Sequence, residues 1–346
     1  MNQHTSAPSV NSSQQAGSLS PRILVLGVGS LGCYLVAKAQ QQLGAADPAY
    51  AQLAFALCHH KAALLQDKAN THTFLLNKSA KPTSTKETLA EMLASNGPES
   101  NSAALAALLK AHDIVLLCGA LGGASGVILA EISLLANKQP SKATAQVTNG
   151  SLQTALLAFV VSPFSFEGGA RAQQARATVQ QLETSCNGLV ELPNDLLRKA
   201  LGAQTRLEEA LDASNAFLAK MLQQLLHIMV KLSLINLDLR DLLALLQQPG
   251  RMAINWQQLD LHQPLAPQLM LLLQHPLLAK TATDSAKAAM LHLEVPEHFA
   301  LEQFEFLHQH LQAQLPDNTL MLSGLRITPE IKQAELTLLL TGIKPS

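Results

Sequence analysis

The sequence predicts an α/β protein, with a doubly wound parallel sheet joined by a long central helix to a smaller α+β domain. Three observations predict it. Short apolar runs with β-branched residues each feed a helical pattern, twice through a glycine-rich turn, as parallel strands with crossover helices require. One uninterrupted helical pattern, "TRLEEALDASNAFLAKMLQQLLHIMVKLSL", fills the middle of the chain. The last quarter changes character and reads strand, helix, strand, strand.

Taken in order, residues 1–20 are rich in Ser, Gln and Asn, with no apolar core, and are expected to be a disordered tail and not a signal peptide. "RILVLGVGSLGCYLVAKAQQQLG" is strand, glycine turn, amphipathic helix. "LAFALCHH" is the second strand, with a helix from about Lys61, and "HTFLLN" the third. "TKETLAEMLA" and "SAALAALLKAH" read as helices around the break "SNGPESN". "DIVLLCGALGGASGVILAEISLLAN" repeats the pattern of strand, glycine loop and helix. "ALLAFVVSPF" is a strand stopped by Pro163, "GARAQQARATVQQLETS" a helix, and "GLVELPND" a strand entering a turn. These segments make a first domain over 21–204, followed by the central helix at 205–234. Residues 235–346 begin with a loop, and "DLRDLLALLQQPG" then reads as a helix closed by Pro249-Gly250. The final two strands, "NTLMLSGLRI" and "AELTLLLTGI", are expected to pair antiparallel across "TPEIKQ".

A formal net charge of −1 and only 14% charged residues remove the electrostatic case for nucleic acid or an anionic membrane surface. No stretch reaches the roughly 18 to 20 apolar residues of a membrane helix, so direct membrane insertion is not expected. Cys33, Cys58, Cys118 and Cys186 are far apart in sequence and lack metal-ligand spacing, which fits free thiols in a reduced, cytoplasmic protein. His308 and His310 are two apart on a helical pattern and face different ways, so no metal site is expected there. His227 lies in the apolar stripe of the central helix and reads as a core histidine; Trp256 is a candidate anchor for a partner.

Gly27, Gly29 and Gly32 form G-x-G-x-x-G between a strand and a helix, with Ser30 inside it. Glycines let backbone approach a phosphate, and a helix start offers unpaired N–H groups and the positive end of its dipole. A Rossmann site for NAD(P) expects an acidic residue at the end of the second strand. Here Cys58-His59-His60 stands in that place. The two histidines fit either a phosphate contact or a solvated loop. A second loop, "GALGGASG", contains Gly122, Gly123, Ser125 and Gly126 and again joins a strand to a helix. Two such loops on neighbouring strands suit a triphosphate held from both sides.

At this point the chain resembles the FtsZ/tubulin family. "GVGSLG" is similar to its first phosphate loop and "GALGGASG" to its glycine-rich signature, although Ala124-Ser125-Gly126-Val127 stands where the family has Thr-Gly-Thr-Gly. "SPFSFEGGARAQQA" resembles the family's Pro-Phe-x-Phe-Glu-Gly segment, "LVELPNDLL" its Ile-Pro-Asn-Asp turn, and "NLDLRD" its Asn-x-Asp-x-x-Asp loop. The resemblance implies that Glu167 accepts from the ribose hydroxyls, Arg171 lies near ribose or phosphates, Asn194 contacts the sugar and Asn215 the base. It implies GTP or GDP as ligand, with Mg²⁺ accompanying it, and head-to-tail assembly of the chain with itself. Asp238 and Asp241 would then orient the attacking water in the neighbouring subunit, giving slow GTP hydrolysis. A division FtsZ is a further expected partner. Read alone, the same two acids cap a helix. Base recognition departs from the family: Leu211 replaces a stacking aromatic, Ala216 the Asp that reads guanine, and Tyr34 an Asn near the base. The alternative is a non-hydrolysing FtsZ-fold structural or regulatory protein that binds partners. An NAD(P)-dependent reductase survives only on the first loop.

Overall fold

Six parallel strands carry the first half of the sheet: β1 (Ile23–Val28), β2 (Leu53–His59), β3 (Thr71–Leu75), β4 (Ile114–Ala120), β5 (Ala155–Ser162) and β6 (Gly188–Pro193), in the spatial order β3-β2-β1-β4-β5-β6. The structure is a computed structural model that describes residues 21–43, 50, 53–65, 71–76, 98–138, 154–196, 207–230, 239–275 and 280–344. Every residue of β1 is buried, as a strand covered on both faces requires. Its side chains divide by parity. Ile23 and Val25 pack with Cys33, Leu35 and Val36 of α1 (Gly29–Leu43) and with Leu218 and Leu222 of α5 (Leu207–Val230). Leu24, Leu26 and Val28 face the other way, onto α2 (Pro98–Lys110), α3 (Ala124–Lys138) and α4 (Gly169–Ser185). Thus α1 leaves β1 toward one face while α3 leaves β4 toward the other. Strand order reverses between β1 and β4, and in such sheets the crevice at the carboxyl end of that pair takes the ligand.

The sheet continues beyond β6. β7 (Arg251–Leu259) joins it through the single parallel pair Leu189↔Arg251, and the order runs on as β7-β10-β8-β9, with β8 (Ala288–Val295), β9 (Leu320–Ile327) and β10 (Ala334–Ile343). Arg251 reinforces that join, its Nε 2.7 Å from Glu183 Oε1 and its Nη1 3.0 Å from Glu191 Oε2. Residues of α7 (Leu265–Leu273), α8 (Lys280–Ser285) and α9 (Leu301–Gln312) form a separate apolar core with β7, β8 and β10. α5 reaches both halves. Its Gln224 donates to Glu335 Oε1 (2.6 Å) and accepts from Thr337 Oγ1 (3.0 Å), both on β10, while Lys220 lies 3.4 Å from Glu335. Among the described residues no helix is long and apolar enough to cross a membrane.

Three expectations need correction. β9 and β10 do not pair with each other: β9 lies parallel to β8, and β10 runs antiparallel between β7 and β8. α9 connects β8 to β9, and a helical crossover returns the chain as a parallel neighbour. β10 has nine of its ten residues buried, so it takes the central place. The segment "RMAINWQQL", for which the sequence suggests no element, is a full strand, β7, and Trp256 in it packs on Phe217 with ring centroids 4.9 Å apart. After β2 the described chain makes only a 3-10 turn at Ala62–Leu64 where a helix is expected. The break "SNGPESN" also resolves differently, since α2 begins at Pro98 itself, a position where the missing N–H costs nothing. The tail at 1–20 and the helix read at "TKETLAEMLA" lie outside the described residues.

Candidate functional site

The two glycine loops meet. Gly29 opens α1 with φ +72°, and a Cβ on it would collide with the Ser125 hydroxyl, so the first turn of α3 sits directly against the first turn of α1. Only glycine meets both demands, a left-handed backbone and no side chain. Gly27 and Gly32 close the other side of the turn: a Cβ on Gly27 would strike the Gly32 carbonyl, and one on Gly32 the Cys118 carbonyl. α1 therefore lies on the backbone of β1 and β4. In the second loop, Gly122 turns with φ +78° beside Pro163 and the Arg171 backbone. Gly123 has nothing within 4 Å of where a Cβ would stand, so the loop is open at that point. Gly126 packs closely on Leu121 and Thr178. The result is two helix N-termini, side by side at the carboxyl ends of paired strands. Their free N–H groups and aligned dipoles make a site for a polyanion.

His59 ends β2 beside this turn and is 1% exposed. Its Nε2 lies 3.1 Å from Ser30 Oγ, its Nδ1 accepts the Lys61 N–H at 2.8 Å, and its ring stacks on His60 with centroids 4.4 Å apart. Burial, then the charge of His60, holds the His59 pKa below the ordinary imidazole value. Cys33 points its thiol at the Gly27 and Cys58 carbonyls (3.9 and 3.8 Å), and burial raises its pKa to about 11. The four cysteines are free. Cys58 and Cys118 are fully buried, and that burial raises both their pKa values, which suits inert core thiols.

The remaining expected contacts come from other elements at the same edge. Glu167 sits in a 3-10 turn after β5; its Oε1 accepts from the Phe164 N–H (2.9 Å) and its Oε2 pairs with Arg171 Nη1, one turn on in α4. Asn194 directly follows the carboxyl end of β6 and is half-buried. α5 runs opposite to the parallel strands, since His227 near its end lies beside Tyr50, ring centroids 5.9 Å apart, and Tyr50 precedes β2. Asn215, twelve residues earlier, is therefore about 18 Å nearer the carboxyl edge, at 1.5 Å per residue. Among the described residues neither asparagine hydrogen-bonds to the glycine loops. Sequence reasoning missed Asp195, which accepts from the Ser165 N–H (3.1 Å) and hydroxyl (3.2 Å) and so fixes the turn carrying Glu167. The quoted "LPND" contains it, but its partner is 30 residues away and carries no sequence signal.

Asp238 lies outside the described residues. Asp241 is exposed in the first turn of α6 (Leu239–Leu246), as a helix-start acid is expected to be. α6 packs at the opposite edge of the sheet. Thr341 Oγ1 donates to its Leu245 carbonyl at 2.9 Å, Thr341 pairs with Ala288 at the start of β8, and Arg251, just beyond α6, pairs near the start of β6. Strands of six to eight residues, at about 3.3 Å each, separate that edge from the glycine loops. The structure thus gathers the glycine loops, Ser30, Glu167 and Arg171 at one end, and places Asp241 at the other.

No protein-family model matches the chain. It is 24% identical over 255 residues to the cell division protein FtsZ of Wigglesworthia glossinidia brevipalpis, a match covering 72% of this chain and 62% of that protein. The chain therefore matches somewhat less than two thirds of that relative's length. Its fold superposes on an FtsZ dimer structure from M. jannaschii with a TM-score of 0.72 at 21% identity, covering 94% of this chain and 89% of that one. A GTPγS-bound protofilament of CetZ2 from Haloferax volcanii matches with a TM-score of 0.65 at 16% identity, covering 94% of each chain. In sequence the chain is similar to FtsZ proteins, and its fold is that of the FtsZ/tubulin family.

Proposed function

We propose that the chain binds GTP and GDP between its two glycine loops, assembles head to tail into filaments, and hydrolyses GTP slowly at the junction of two subunits. The observation that carries this reading is the contact of Gly29 with Ser125, which brings two helix N-termini together where strand order reverses. Family relatives that form GTPγS-bound protofilaments support it. In this reading, backbone N–H groups of Gly29 to Gly32 and Gly122 to Gly126 hold the phosphates, Ser30 and Ser125 donate hydroxyl protons to them, and Arg171 adds charge. Glu167 and Asn194 hold the sugar, and Asn215 the base. GTP supplies the phosphoanhydride bond that water opens. Mg²⁺ would accompany the triphosphate, held chiefly by phosphate oxygens and water.

Asp241 lies too far along the sheet to serve its own glycine loops, and this supports action in the next subunit. There, Asp238 and Asp241 orient the water that attacks the terminal phosphate. One observation favours the alternative, a family fold kept for binding partners without hydrolysis: the Glu167 carboxylate is already engaged by Arg171 and the Phe164 N–H. GTP-dependent pelleting with phosphate release, on wild type and on Asp238→Ala and Asp241→Ala, separates the two. The in-trans reading expects wild type to pellet and release phosphate, and the variants to pellet without release. Wild type that binds GTP but neither pellets nor releases phosphate would establish the alternative.

A further inference from the structure

The pair His59 and Ser30 carries an inference that rests on the nucleotide reading above and deepens it. The Lys61 N–H donates to His59 Nδ1 at 2.8 Å, so that nitrogen presents a lone pair and the ring proton is on Nε2. The Nε2–H then donates to Ser30 Oγ, 3.1 Å away. A serine hydroxyl has one proton to give and two lone pairs to offer. With one lone pair taken by His59, the Ser30 proton is directed away from the ring. His59 is 1% exposed, whereas Ser30 is exposed in the first turn of α1, beside the meeting point of the two loops. We propose that His59 is a positioning residue for phosphate binding: it holds the Ser30 hydroxyl with its proton turned toward a phosphate oxygen lodged between the glycine loops. The Lys61 N–H sets the tautomer, the tautomer sets the serine rotor, and the rotor presents a donor that would otherwise rotate freely.

The test is equilibrium binding of GDP to the full chain as wild type, Ser30→Ala, His59→Phe, His59→Gln and the double variant Ser30→Ala/His59→Phe, with thermal unfolding recorded for each. Phe keeps the buried ring and its stacking on His60 but has no donor; Gln restores an N–H near the Nε2 position. Ser30→Ala and His59→Phe should each weaken GDP binding about tenfold, the scale of one hydrogen bond to a charged acceptor. The double variant should lose no more than either single one, and His59→Gln should recover most of the affinity. Losses that multiply toward a hundredfold in the double variant overturn the proposal. So does a Gln variant as weak as the Phe variant, or a Ser30→Ala protein that binds as wild type does. Should His59→Phe fail to fold, the Gln variant and Ser30→Ala decide alone, because Ser30 is exposed and its loss leaves the core intact. Wild type that does not bind GDP at all removes the nucleotide reading, and this proposal with it.

Discussion

Whether His59 is neutral or charged decides how the edge of the site is held. Its Nδ1 must accept from Lys61, so a second ring proton would set two donors face to face across 2.8 Å. The folded state therefore prefers the neutral ring, and burial, followed by the His60 and Lys61 charges, lowers its pKa from 6.5. The sign follows from linkage: the contribution to stability is complete above the unfolded imidazole value and is lost as pH falls through the lowered one. Between about pH 7 and about pH 5, wild type should lose more stability in urea melts than His59→Gln does, because Gln does not titrate. An equal loss in both would mean that protonation of this ring is not felt. The glycine positions were legible in the sequence because a tight turn before a helix is a local demand on backbone. The Ser30–His59 pair was not, because 29 residues separate its members and only the β1–β2 pairing brings them together.

At the scale of elements, the parallel half of the sheet could be read strand by strand because each apolar run ends in its own turn or helix. The antiparallel half could not. β7 carries Asn255, Gln257 and Gln258 among its apolar residues and mimics a loop, although Asn255 is buried and donates to the Leu272 carbonyl at 3.1 Å. The order β7-β10-β8-β9 depends on which strand is buried on both faces, a property of the sheet and not of the segment. β10 is that strand: Leu336, Leu338 and Leu340 face the core beneath α7 and α9, while Leu339 faces the core shared with α5 and α6. Leu338→Ala should destabilise the protein by about 2–5 kcal/mol in urea unfolding, the cost of a cavity at a fully buried leucine. A loss under about 1 kcal/mol would mean that β10 is not central to the packing.

For the whole molecule, the glycine loops and Asp241 lie at opposite edges, and in the in-trans reading each copy is therefore incomplete on its own. A contact that joins unlike surfaces extends into a filament unless its rotation closes it into a ring. The in-trans reading predicts complementation. Gly29→Ala spoils the first glycine loop, since its φ and the nearby Ser125 hydroxyl exclude a side chain, but leaves α6 intact. Asp241→Ala does the reverse. Mixed together, the two variants should release phosphate from GTP at a rate neither shows alone; a mixture as silent as its parts would place the chemistry within one chain. The strand order also has a consequence for how the chain is made. β6 is complete by Pro193, so the parallel half has all its strands early and its own core to fold on. β10 is synthesised after β7 and β8, the two strands it separates. Until Ala334–Ile343 leaves the ribosome, β7 and β8 each have an unpaired edge where β10 belongs.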